Sequence, residues 1–366
     1  MKNKALEEKL NAVGSVFRLP GAFYSYTVIT DGNVNGTYKL NYRQPDKSIK
    51  TYVAQRINSY VFKDPAGIME NIDLVTTHIR ENPDWKGVSL HFHHTADGAN
   101  YYLSDDDSFW RIYTYVDAVT YNTCDNLDVL RNAGVAFGEF QMNLSDFDAQ
   151  KLHMTIPDFH NTKKRMETLF RHIEEDPYHR VAEVQEEIRY LASMREVAER
   201  MSLMLEKGML PLRVTHNDTK INNVLFDKKT KEALVVIDLD TVMPGLAMHD
   251  FGDAVRFGAS TAAEDEADTS NVMLDLDKFR AFAEGFISRT YRSLTPLEID
   301  TMALGAVTIT LELASRFLDD YLTGDKYFKV NYEGHNLVRT RCQLKLAQDM
   351  WSKYDTMCEI VHAIAK

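Results

Sequence analysis

Apolar and polar residues alternate in the first third of the chain and predict β-strands, because successive side chains of a strand point to opposite faces. The first of these runs stops at Asp31-Gly32, a turn signal. One helix interrupts the strands: Asp64 can cap it, Pro65 suits its first position, and apolar residues follow at helical spacing. The predicted strands are 23–30, 37–42, 51–57, 88–95, 101–104 and 110–119, with a hairpin turn at 96–99 and the helix at about 65–80.

Beyond about residue 120 the apolar spacing becomes helical. Two short apolar runs, 223–226 and 233–237, flank a lysine-rich turn and predict one hairpin inside this helical part. The chain is therefore predicted to be an α+β protein with a small β-rich lobe, residues 1–118, and a large helical lobe, residues 119–366. The predicted helices of the second lobe are 127–142, 182–207, 277–293, 296–321 and 339–365.

Composition narrows the function classes without choosing among them. The 42 basic and 54 acidic residues leave a formal charge of −12, which disfavours general nucleic-acid binding because phosphates require a basic surface. Cys124, Cys342 and Cys358 are too far apart for a disulfide framework, so a cytoplasmic location is expected. No apolar stretch reaches the ~18 residues of a membrane span. We expect a soluble monomer without a membrane partner.

Residues 216–223 carry the most specific chemical signal in the chain. They match H-x-D-x-x-x-x-N, the pattern of a phosphotransferase catalytic loop. In that pattern Asp218 accepts the proton of the attacking hydroxyl, and Asn223 turns its amide oxygen toward a metal ion bound to ATP. Downstream, an apolar strand ends in Asp238-Leu239-Asp240. Because Mg²⁺ prefers hard oxygen ligands, Asn223 and Asp238 are predicted metal ligands, while Asp240 either completes the metal shell or braces the loop.

The same residues have a less specific interpretation, in which His216 and Asp218 cap a turn and the two later aspartates cap a strand end. The H-x-D triplet alone would not decide between the two. The catalytic interpretation is favoured by the whole order of loop, hairpin and I-D-x-D strand end. That order also fits a bilobal protein-kinase-like fold, with ATP between a β-rich and a helical lobe.

A nucleotide site is predicted in the β-rich lobe. The turn after the first strand has two glycines, which let backbone N–H groups approach phosphates, although hairpin turns often contain glycine for conformational reasons alone. The V-A-x-K position, which holds phosphates in protein kinases, contains Arg56; it can bind phosphate bidentately or be a surface residue. Glu70 is the candidate partner of Arg56. The predicted nucleotide residues are Gly32, Asn33, Val34, Asn35, Gly36 and Arg56, with Val116, Asp117 and Ala118 at the hinge between the lobes.

With these motifs the chain resembles the superfamily of aminoglycoside phosphotransferases and choline kinases. Within it, the chain is most similar to the N-acetylhexosamine 1-kinases, bacterial enzymes that phosphorylate the anomeric hydroxyl of GlcNAc and GalNAc. The segments that carry the resemblance are 52–58, 61–65, 159–165, 216–227, 237–245, 249–256, 316–325 and 335–339. The resemblance extends through nearly the whole chain and implies a kinase-like fold, ATP with Mg²⁺, and a neutral sugar acceptor.

The acceptor site is predicted around Arg316. This residue lies in an otherwise apolar helical segment, where an unpaired charge is costly, so it must pair or face a cleft. The resemblance implies that Arg316 contacts the sugar, and a salt bridge to Asp319 or Asp320 is the alternative. Asn217 and Tyr321 are weaker candidates for sugar contacts.

Four further residues are expected near the site. His160 and Arg165 either approach the sugar or brace the surface between the lobes. Asp250 and Asp253 are predicted to accept hydrogen bonds from the backbone of the catalytic loop.

The sequence thus predicts an ATP- and Mg²⁺-dependent kinase of the anomeric C1 hydroxyl of N-acetylhexosamines. One alternative keeps the fold and changes the acceptor to choline, homoserine, methylthioribose or an aminoglycoside. Cationic acceptors demand an acidic or aromatic pocket, which Arg316 would oppose. The other alternative is a non-catalytic nucleotide-binding module. The Lys-to-Arg change at Arg56 favours that module, and the intact set of His216, Asp218, Asn223 and Asp238 argues against it.

Overall fold

A computed structural model describes residues 4–30, 34–123 and 125–366. The chain divides into two compact units. The first unit combines Met1–Ala118 with two short segments, Gln150–Ile156 and Ile237–Met243. The second contains Val119–Ala149, Pro157–Val236 and Pro244–Lys366. A division at residue 118 would assign both short segments to the second lobe, whereas the structure groups them with the first.

An antiparallel sheet forms the centre of the first unit. The helices and strands of the first unit are α1 (Lys4–Val16), β1 (Ala22–Ile29), β2 (Gly36–Arg43), β3 (Ile49–Ile57), α2 (Pro65–Glu81), β4 (Phe92–His93), β5 (Tyr102–Leu103) and β6 (Phe109–Thr114). The strand order is β1-β2-β3-β6-β4, and β5 also pairs with β6. The predicted hairpin around residues 96–99 is wrong, because β4 and β5 each pair with β6 instead of with each other. The predicted last strand is shorter than expected and ends at Thr114.

The two faces of this sheet bury different partners. Ala54 and Trp110 lie in a core with apolar residues of α1. Gln55 and Arg111, each one residue further along its strand, lie on the opposite face, since side chains alternate. On that face Arg111 contacts Met69 of α2. Gln55 and Arg111 are therefore presented on the α2 side of the sheet, away from the α1 core.

Helix α2 attaches both short segments to the first unit. It begins where the sequence predicts, with Asp64 capping its first turn. Asn71, on its buried side, donates hydrogen bonds to the carbonyl oxygens of His153 (2.8 Å) and Val242 (3.0 Å) and accepts one from the His153 N–H (2.8 Å). These bonds satisfy polar groups that would otherwise be buried without partners.

The second unit is mostly helical. Its elements are α3 (Leu127–Asn143), α4 (Thr162–Glu175), α5 (Gln185–Glu206), β7 (Arg213–Thr215), β8 (Val224–Phe226), β9 (Ala233–Val236), α6 (Ala247–Gly258), α7 (Leu276–Thr290), α8 (Pro296–Asp300), α9 (Met302–Leu322), α10 (His335–Ser352) and α11 (Tyr354–Ile364), and the strand β10 (Met243–Gly245) precedes α6. The predicted hairpin of β8 and β9 is confirmed. Among the described residues, no helix combines the length and the apolar character that a membrane span requires.

Helix lengths differ from the predicted ones in the C-terminal part. The single helix predicted at 296–321 is α8 followed by α9, separated at Thr301, whose hydroxyl donates to the Leu297 carbonyl oxygen (2.7 Å). The helix predicted at 339–365 is α10 followed by α11, with Lys353 between them. Helices α1, α4 and α6 have no counterpart among the predicted elements.

Helices α6 and α9 approach each other closely at two glycines. A Cβ atom on Gly252 would lie 2.4 Å from the carbonyl oxygen of Gly305, and one on Gly305 would lie 2.3 Å from that of Met248. A side chain at either position would push the helices apart, because packed interiors have no room for added atoms. The contact fixes α6, which carries the two predicted loop acceptors, against α9, which carries Arg316.

Candidate active site

The catalytic loop lies between β7 and β8, and α6 holds its backbone. The two carboxylate oxygens of Asp250 accept hydrogen bonds from the N–H groups of His216 (2.9 Å) and Asn217 (2.8 Å). Asp253 accepts one from the Thr219 N–H (2.9 Å). These bonds confirm the predicted role of both aspartates. They fix the backbone on either side of the predicted base.

The supporting carboxylates are themselves buried and neutralised. Asp250 also accepts a hydrogen bond from Gln141 Nε2 (2.6 Å), yet burial raises its pKa above the ordinary value. Asp253 pairs with Arg256 Nη2 at 2.8 Å, and Arg256 also pairs with Glu264 at 2.7 Å. Because buried ionised groups are costly without such partners, these contacts keep the loop support in one arrangement.

Asp218 is partly exposed and has a fixed direction. Its Oδ1 pairs with Lys220 Nζ at 2.9 Å, and its Oδ2 accepts a hydrogen bond from Asn223 Nδ2 at 3.1 Å. Burial alone would raise the pKa of Asp218, but Lys220 and the hydrogen bonds bring it below its ordinary value. The result is an ionised, oriented carboxylate that can accept a proton from a bound hydroxyl. Lys220 was not predicted from the sequence, although a lysine two residues after the predicted base is visible in the motif.

Asn223 in the second unit and Asp238 in the first each carry a side-chain oxygen of the kind that binds divalent cations. Asn223 Nδ2 donates to Asp218 Oδ2 and to the Asp218 carbonyl oxygen (2.8 Å), and among the described residues the amide oxygen is the atom left for a cation. Asp238 lies two residues after β9, in the short segment that belongs to the first unit, and has a left-handed backbone (φ 60°) and an exposed side chain. Amide and carboxylate oxygens are the hard ligands that Mg²⁺ prefers.

Asp240 is bound inside the first unit. It is 2% exposed, and its two oxygens accept hydrogen bonds from Arg111 Nη1 and from Asn35 Nδ2 (2.6 Å). Arg111 also donates to Gln55 Oε1 (2.9 Å). Burial would lower the pKa of Arg111, but Asp240 raises it, so the pair is ionic. Of the two roles open for Asp240, these contacts favour bracing. Arg111 was not predicted from the sequence, and its only signal there is a charge between Trp110 and Ile112 on a strand.

The predicted phosphate turn is described from Val34 onward. Gly32 and Asn33, both predicted to bind nucleotide, lie outside the described residues. Val34 is exposed. The side chain of Asn35 is bonded to Asp240, so the contribution of Asn35 to a phosphate site would come from its backbone.

Arg56 stands near the end of β3, opposite Gly36 of β2. Its side chain is exposed. Because side chains alternate along a strand, Arg56 shares the face of Ala54, whereas Arg111 lies on the other face with Gln55. Arg56 is thus placed beside the turn but apart from the Asp240 ion pair.

Glu70, the predicted partner of Arg56, has a different contact. Its carboxylate accepts a hydrogen bond from His153 Nε2 at 2.5 Å. The pairing of Glu70 with Arg56 is therefore wrong, because the segment 150–156 joins the first unit and supplies the partner.

The predicted hinge residues follow β6 without regular secondary structure. Val116, Asp117 and Ala118 end the long first segment of the first unit. The next residue, Val119, exchanges backbone hydrogen bonds with Phe226 in the second unit. Residues 116–118 are therefore the connection between the units at this point of the chain.

Arg316 lies on α9 among aromatic rings. Its guanidinium carbon is 5.6 Å from the ring centre of Phe159, 5.7 Å from that of Tyr327 and 5.4 Å from that of Phe328. Its Nη2 donates to the Tyr327 hydroxyl at 3.4 Å. These distances are typical of cation–π packing. We call these four residues the Arg316 surface.

The alternative salt bridge of Arg316 is not formed. Asp319 pairs with His172 Nδ1 at 2.6 Å. Asp320 accepts hydrogen bonds from the N–H groups of residues 326, 327 and 328 (2.8–2.9 Å) and from Asn336 Nδ2 (2.8 Å). Within the described part of the chain, Arg316 has no carboxylate within ion-pair distance. Its charge is therefore available to a ligand.

The two weaker sugar candidates are engaged elsewhere. Tyr321 is 6% exposed, its hydroxyl donates to Glu183 (2.7 Å), and its ring faces Arg180. The side-chain oxygen of Asn217 accepts a hydrogen bond from Thr215 Oγ1 (2.9 Å). These contacts do not favour a sugar-binding role for either side chain.

His160 and Arg165, whose roles the sequence left open, differ in their contacts. His160 bridges Glu312 of α9 (2.8 Å) and the Asn217 carbonyl oxygen (3.2 Å), which is a bracing contact. Arg165 is half-buried and donates to the Phe159 carbonyl oxygen (3.4 Å), and its buried Nε has no hydrogen-bond partner among the residues that the structure describes. Burial and the nearby Arg316 lower the pKa of Arg165. Arg165 thus stands beside the Arg316 surface.

Solved structures share this fold at low sequence identity. An aminoglycoside phosphotransferase from Alicyclobacillus acidocaldarius is 13% identical over 96% of both chains, with a TM-score of 0.64. A microcompartment-associated aminopropanol kinase is 15% identical over 95% of this chain and 98% of its own, with a TM-score of 0.61. An amicoumacin kinase, solved with AMP-PNP, Ca²⁺ and Ami, is 11% identical over 94% and 93%, with a TM-score of 0.58. The likeness confirms the predicted kinase-like α+β fold.

The family is shown by a match between the amino-acid sequence and a family model. Residues 25–282 match the model of the phosphotransferase enzyme family. This match includes the β-rich part, the catalytic loop with Asp218, and the strand that ends at Asp238. The chain belongs to the phosphotransferase enzyme family.

Proposed function

We propose that this protein is an ATP-dependent kinase that phosphorylates the anomeric C1 hydroxyl of N-acetylhexosamines, GlcNAc or GalNAc, and releases the sugar 1-phosphate. The observation that carries the choice of acceptor is the Arg316 surface. A guanidinium without a carboxylate partner among the described residues offers fixed N–H donors to hydroxyl and amide oxygens. The aromatic rings around it offer flat apolar faces to a sugar ring.

The proposed chemistry depends mainly on position. Asp218 orients the C1 hydroxyl and accepts its proton, while Lys220 keeps that carboxylate ionised. A carboxylate of low pKa is a weak base, so most of the rate must come from positioning and charge neutralisation. An anomeric hydroxyl is more acidic than an ordinary alcohol, which makes a weak base sufficient.

We propose that ATP is bound by the backbone of residues 32–36, by the side chain of Arg56 and by the segment 116–118. For Mg²⁺ we propose Asn223 and Asp238, and we assign Asp240 to bracing because both of its oxygens are engaged. A bound divalent cation would neutralise charge on the ATP phosphates. The amicoumacin kinase complex with AMP-PNP and Ca²⁺ supports the pairing of ATP with a divalent cation in this fold.

An acceptor panel tests the proposal. ADP release would be measured with ATP and Mg²⁺ for GlcNAc, GalNAc, glucose, 1-O-methyl-GlcNAc, choline, homoserine, methylthioribose and an aminoglycoside. We expect turnover of the reducing N-acetyl sugars and none of the 1-O-methyl sugar, whose anomeric oxygen is blocked. Phosphorus NMR of the product would locate the phosphate on C1.

Two results would contradict the proposal. Turnover only of choline, homoserine or an aminoglycoside would retain the family chemistry and overturn the sugar assignment. ATP binding without turnover of any acceptor would favour the non-catalytic module.

A further inference from the structure

The residue before the proposed base is held on both sides of its backbone. Asn217 has a left-handed conformation (φ 64°), which residues other than glycine rarely adopt. Its N–H donates to Asp250 (2.8 Å), and its carbonyl oxygen accepts a hydrogen bond from His160 Nε2 (3.2 Å). Because Asp218 follows directly, the orientation of this peptide sets the direction of the Asp218 side chain.

The partners of His160 define its protonation state. Its Nδ1 lies 2.8 Å from Glu312 Oε1, and its Nε2 lies 3.2 Å from the Asn217 carbonyl oxygen. An ionised carboxylate and a carbonyl can only accept hydrogen bonds, and a neutral imidazole carries a single N–H. Both hydrogen bonds therefore exist together only while His160 is a doubly protonated imidazolium.

The surroundings stabilise this ion pair. The side chains of His160 and Glu312 are only 10% and 2% exposed, and Thr162 Oγ1 donates to Glu312 at 2.6 Å. Burial alone would lower the pKa of His160, but Glu312 raises it above the ordinary value. Burial would likewise raise the pKa of Glu312, but His160 holds it at about 2.

Other titratable groups face the pair from the neighbouring elements. From α6, Asp253 attracts the imidazolium, and the His249 ring lies 5.2 Å from that of His160. Burial, and then His160 itself, lower the pKa of His249 to about 3, so His249 is neutral. Arg316 and Arg165 favour the ionised form of Glu312. The charges around the pair thus support the imidazolium–carboxylate state.

We propose that the His160–Glu312 ion pair positions the catalytic loop through the Asn217 carbonyl group and thereby aims the Asp218 carboxylate. His160 is a positioning residue, since it acts on the base through the backbone. Glu312 lies one helical turn before Arg316, so α9 both orients the loop and carries the acceptor contact. The inference rests on the proposed function for the role of Asp218.

The protonation state can be measured without any acceptor. NMR titration of the imidazole signals, with His160 assigned by its absence in His160→Gln, should show a cationic His160 at neutral pH. Its titration should lie above the ordinary value of about 6.5. Glu312→Gln should move it downward. A neutral His160 at pH 7 in the wild-type protein would overturn the inference, whichever acceptor the enzyme uses.

Kinetics test the positioning role. With the acceptor that the panel identifies, His160→Gln should lower kcat about 10- to 100-fold, because small misplacements of reacting groups carry penalties of that size. The KM values should change less than about twofold. The wild-type kcat should fall as the pH rises through the pKa of His160, when one of the two hydrogen bonds is lost. That decline should be absent in His160→Gln.

A matched control is available in the same unit. His172 of α4 pairs with Asp319 of α9 at 2.6 Å, so His172→Gln removes a similar pair that does not contact the loop. Thermal unfolding and AMP-PNP binding would verify that each variant folds. If His160→Gln does not fold, Glu312→Gln would replace it in the kinetic test, because it breaks the same ion pair. An unchanged kcat in a folded variant, or an equal loss in His172→Gln, would overturn the inference. A failed panel would overturn only the sugar proposal and leave the titration to decide.

Discussion

The catalytic loop and the Arg316 surface lie in the same unit, yet they are held by different means. In the loop, the carboxylates of Asp250 and Asp253 accept backbone hydrogen bonds at 2.8–2.9 Å. At the Arg316 surface, the contacts are ring distances of 5.4–5.7 Å and one hydrogen bond of 3.4 Å. The loop is fixed to one geometry, whereas the guanidinium is surrounded without being tightly paired. This difference agrees with the proposed roles, in which Asp218 must be oriented as a base and Arg316 must be open to a ligand.

The Arg316 surface nevertheless has a rigid support beneath it. Asp320 accepts hydrogen bonds from three consecutive N–H groups at 326–328, and Asn336 donates to the same carboxylate. These bonds fix the backbone that carries Tyr327 and Phe328. Two of the three rings of the Arg316 surface therefore stand on a backbone that a single carboxylate holds in place.

The largest effect is expected in the catalytic loop, when Asp218, the proposed base, is replaced. Asp218→Asn should lower kcat about 10²- to 10⁴-fold, because general bases contribute factors of that size. Binding of AMP-PNP should remain within about twofold of wild type, since the change is isosteric and removes one carboxylate oxygen. Steady-state kinetics and calorimetry would measure the two quantities.

The control for this variant should be another lysine-paired carboxylate. Asp349 pairs with Lys353 at 2.6 Å and accepts the Leu274 N–H at 2.7 Å, so Asp349→Asn imposes the same chemical change outside the loop. A wild-type kcat in Asp218→Asn would mean that the loop does not hold the base. Because Lys220 and the hydrogen bonds hold the pKa of Asp218 below its ordinary value, the loss of kcat on acidification should be centred at a lower pH than for an ordinary aspartate.

A smaller effect is expected at the recognition group. Arg316→Lys keeps the charge but loses the flat guanidinium, so KM for the sugar should rise about tenfold, or ~1.4 kcal/mol. The KM for ATP should not change. Arg292→Lys is the matched control, because Arg292 packs on the Tyr291 ring and donates to its hydroxyl at the surface. A fall in kcat with an unchanged sugar KM would instead connect Arg316 with catalysis.

The same comparison explains what the sequence could predict. Asp218 and Asn223 share one short loop, so the spacing of a single motif is enough to predict both as site residues. Asp250 and Asp253 stand three residues apart on one helix turn and were correctly assigned as loop acceptors. Residues that lie within one loop or one helix turn have a spacing that is visible in the sequence.

Two ion pairs between distant segments were not predicted. Arg111 and Asp240 are far apart in the chain, and so are His160 and Glu312, and no local spacing joins either pair. Each pair left one signal, a charge in an apolar element, since a buried charge requires a partner. Arg316 was noticed by that rule, while Glu312 in the same helix was not. The assignment of partners required the fold.

The smallest expected effect concerns Tyr321, which sequence reasoning placed among the weaker sugar contacts. Burial, and then its bond to Glu183, raise the pKa of Tyr321 to about 12, so its hydroxyl stays a neutral donor to Glu183 at physiological pH. Tyr321→Phe should therefore lower the free energy of unfolding by about 1 kcal/mol, the usual loss for one hydrogen bond, and change KM for the sugar less than twofold. Urea unfolding and steady-state kinetics on one preparation would separate the two effects. A sugar KM raised tenfold at unchanged stability would place Tyr321 in the acceptor site, and the recognition group would then extend along α9 beyond the Arg316 surface.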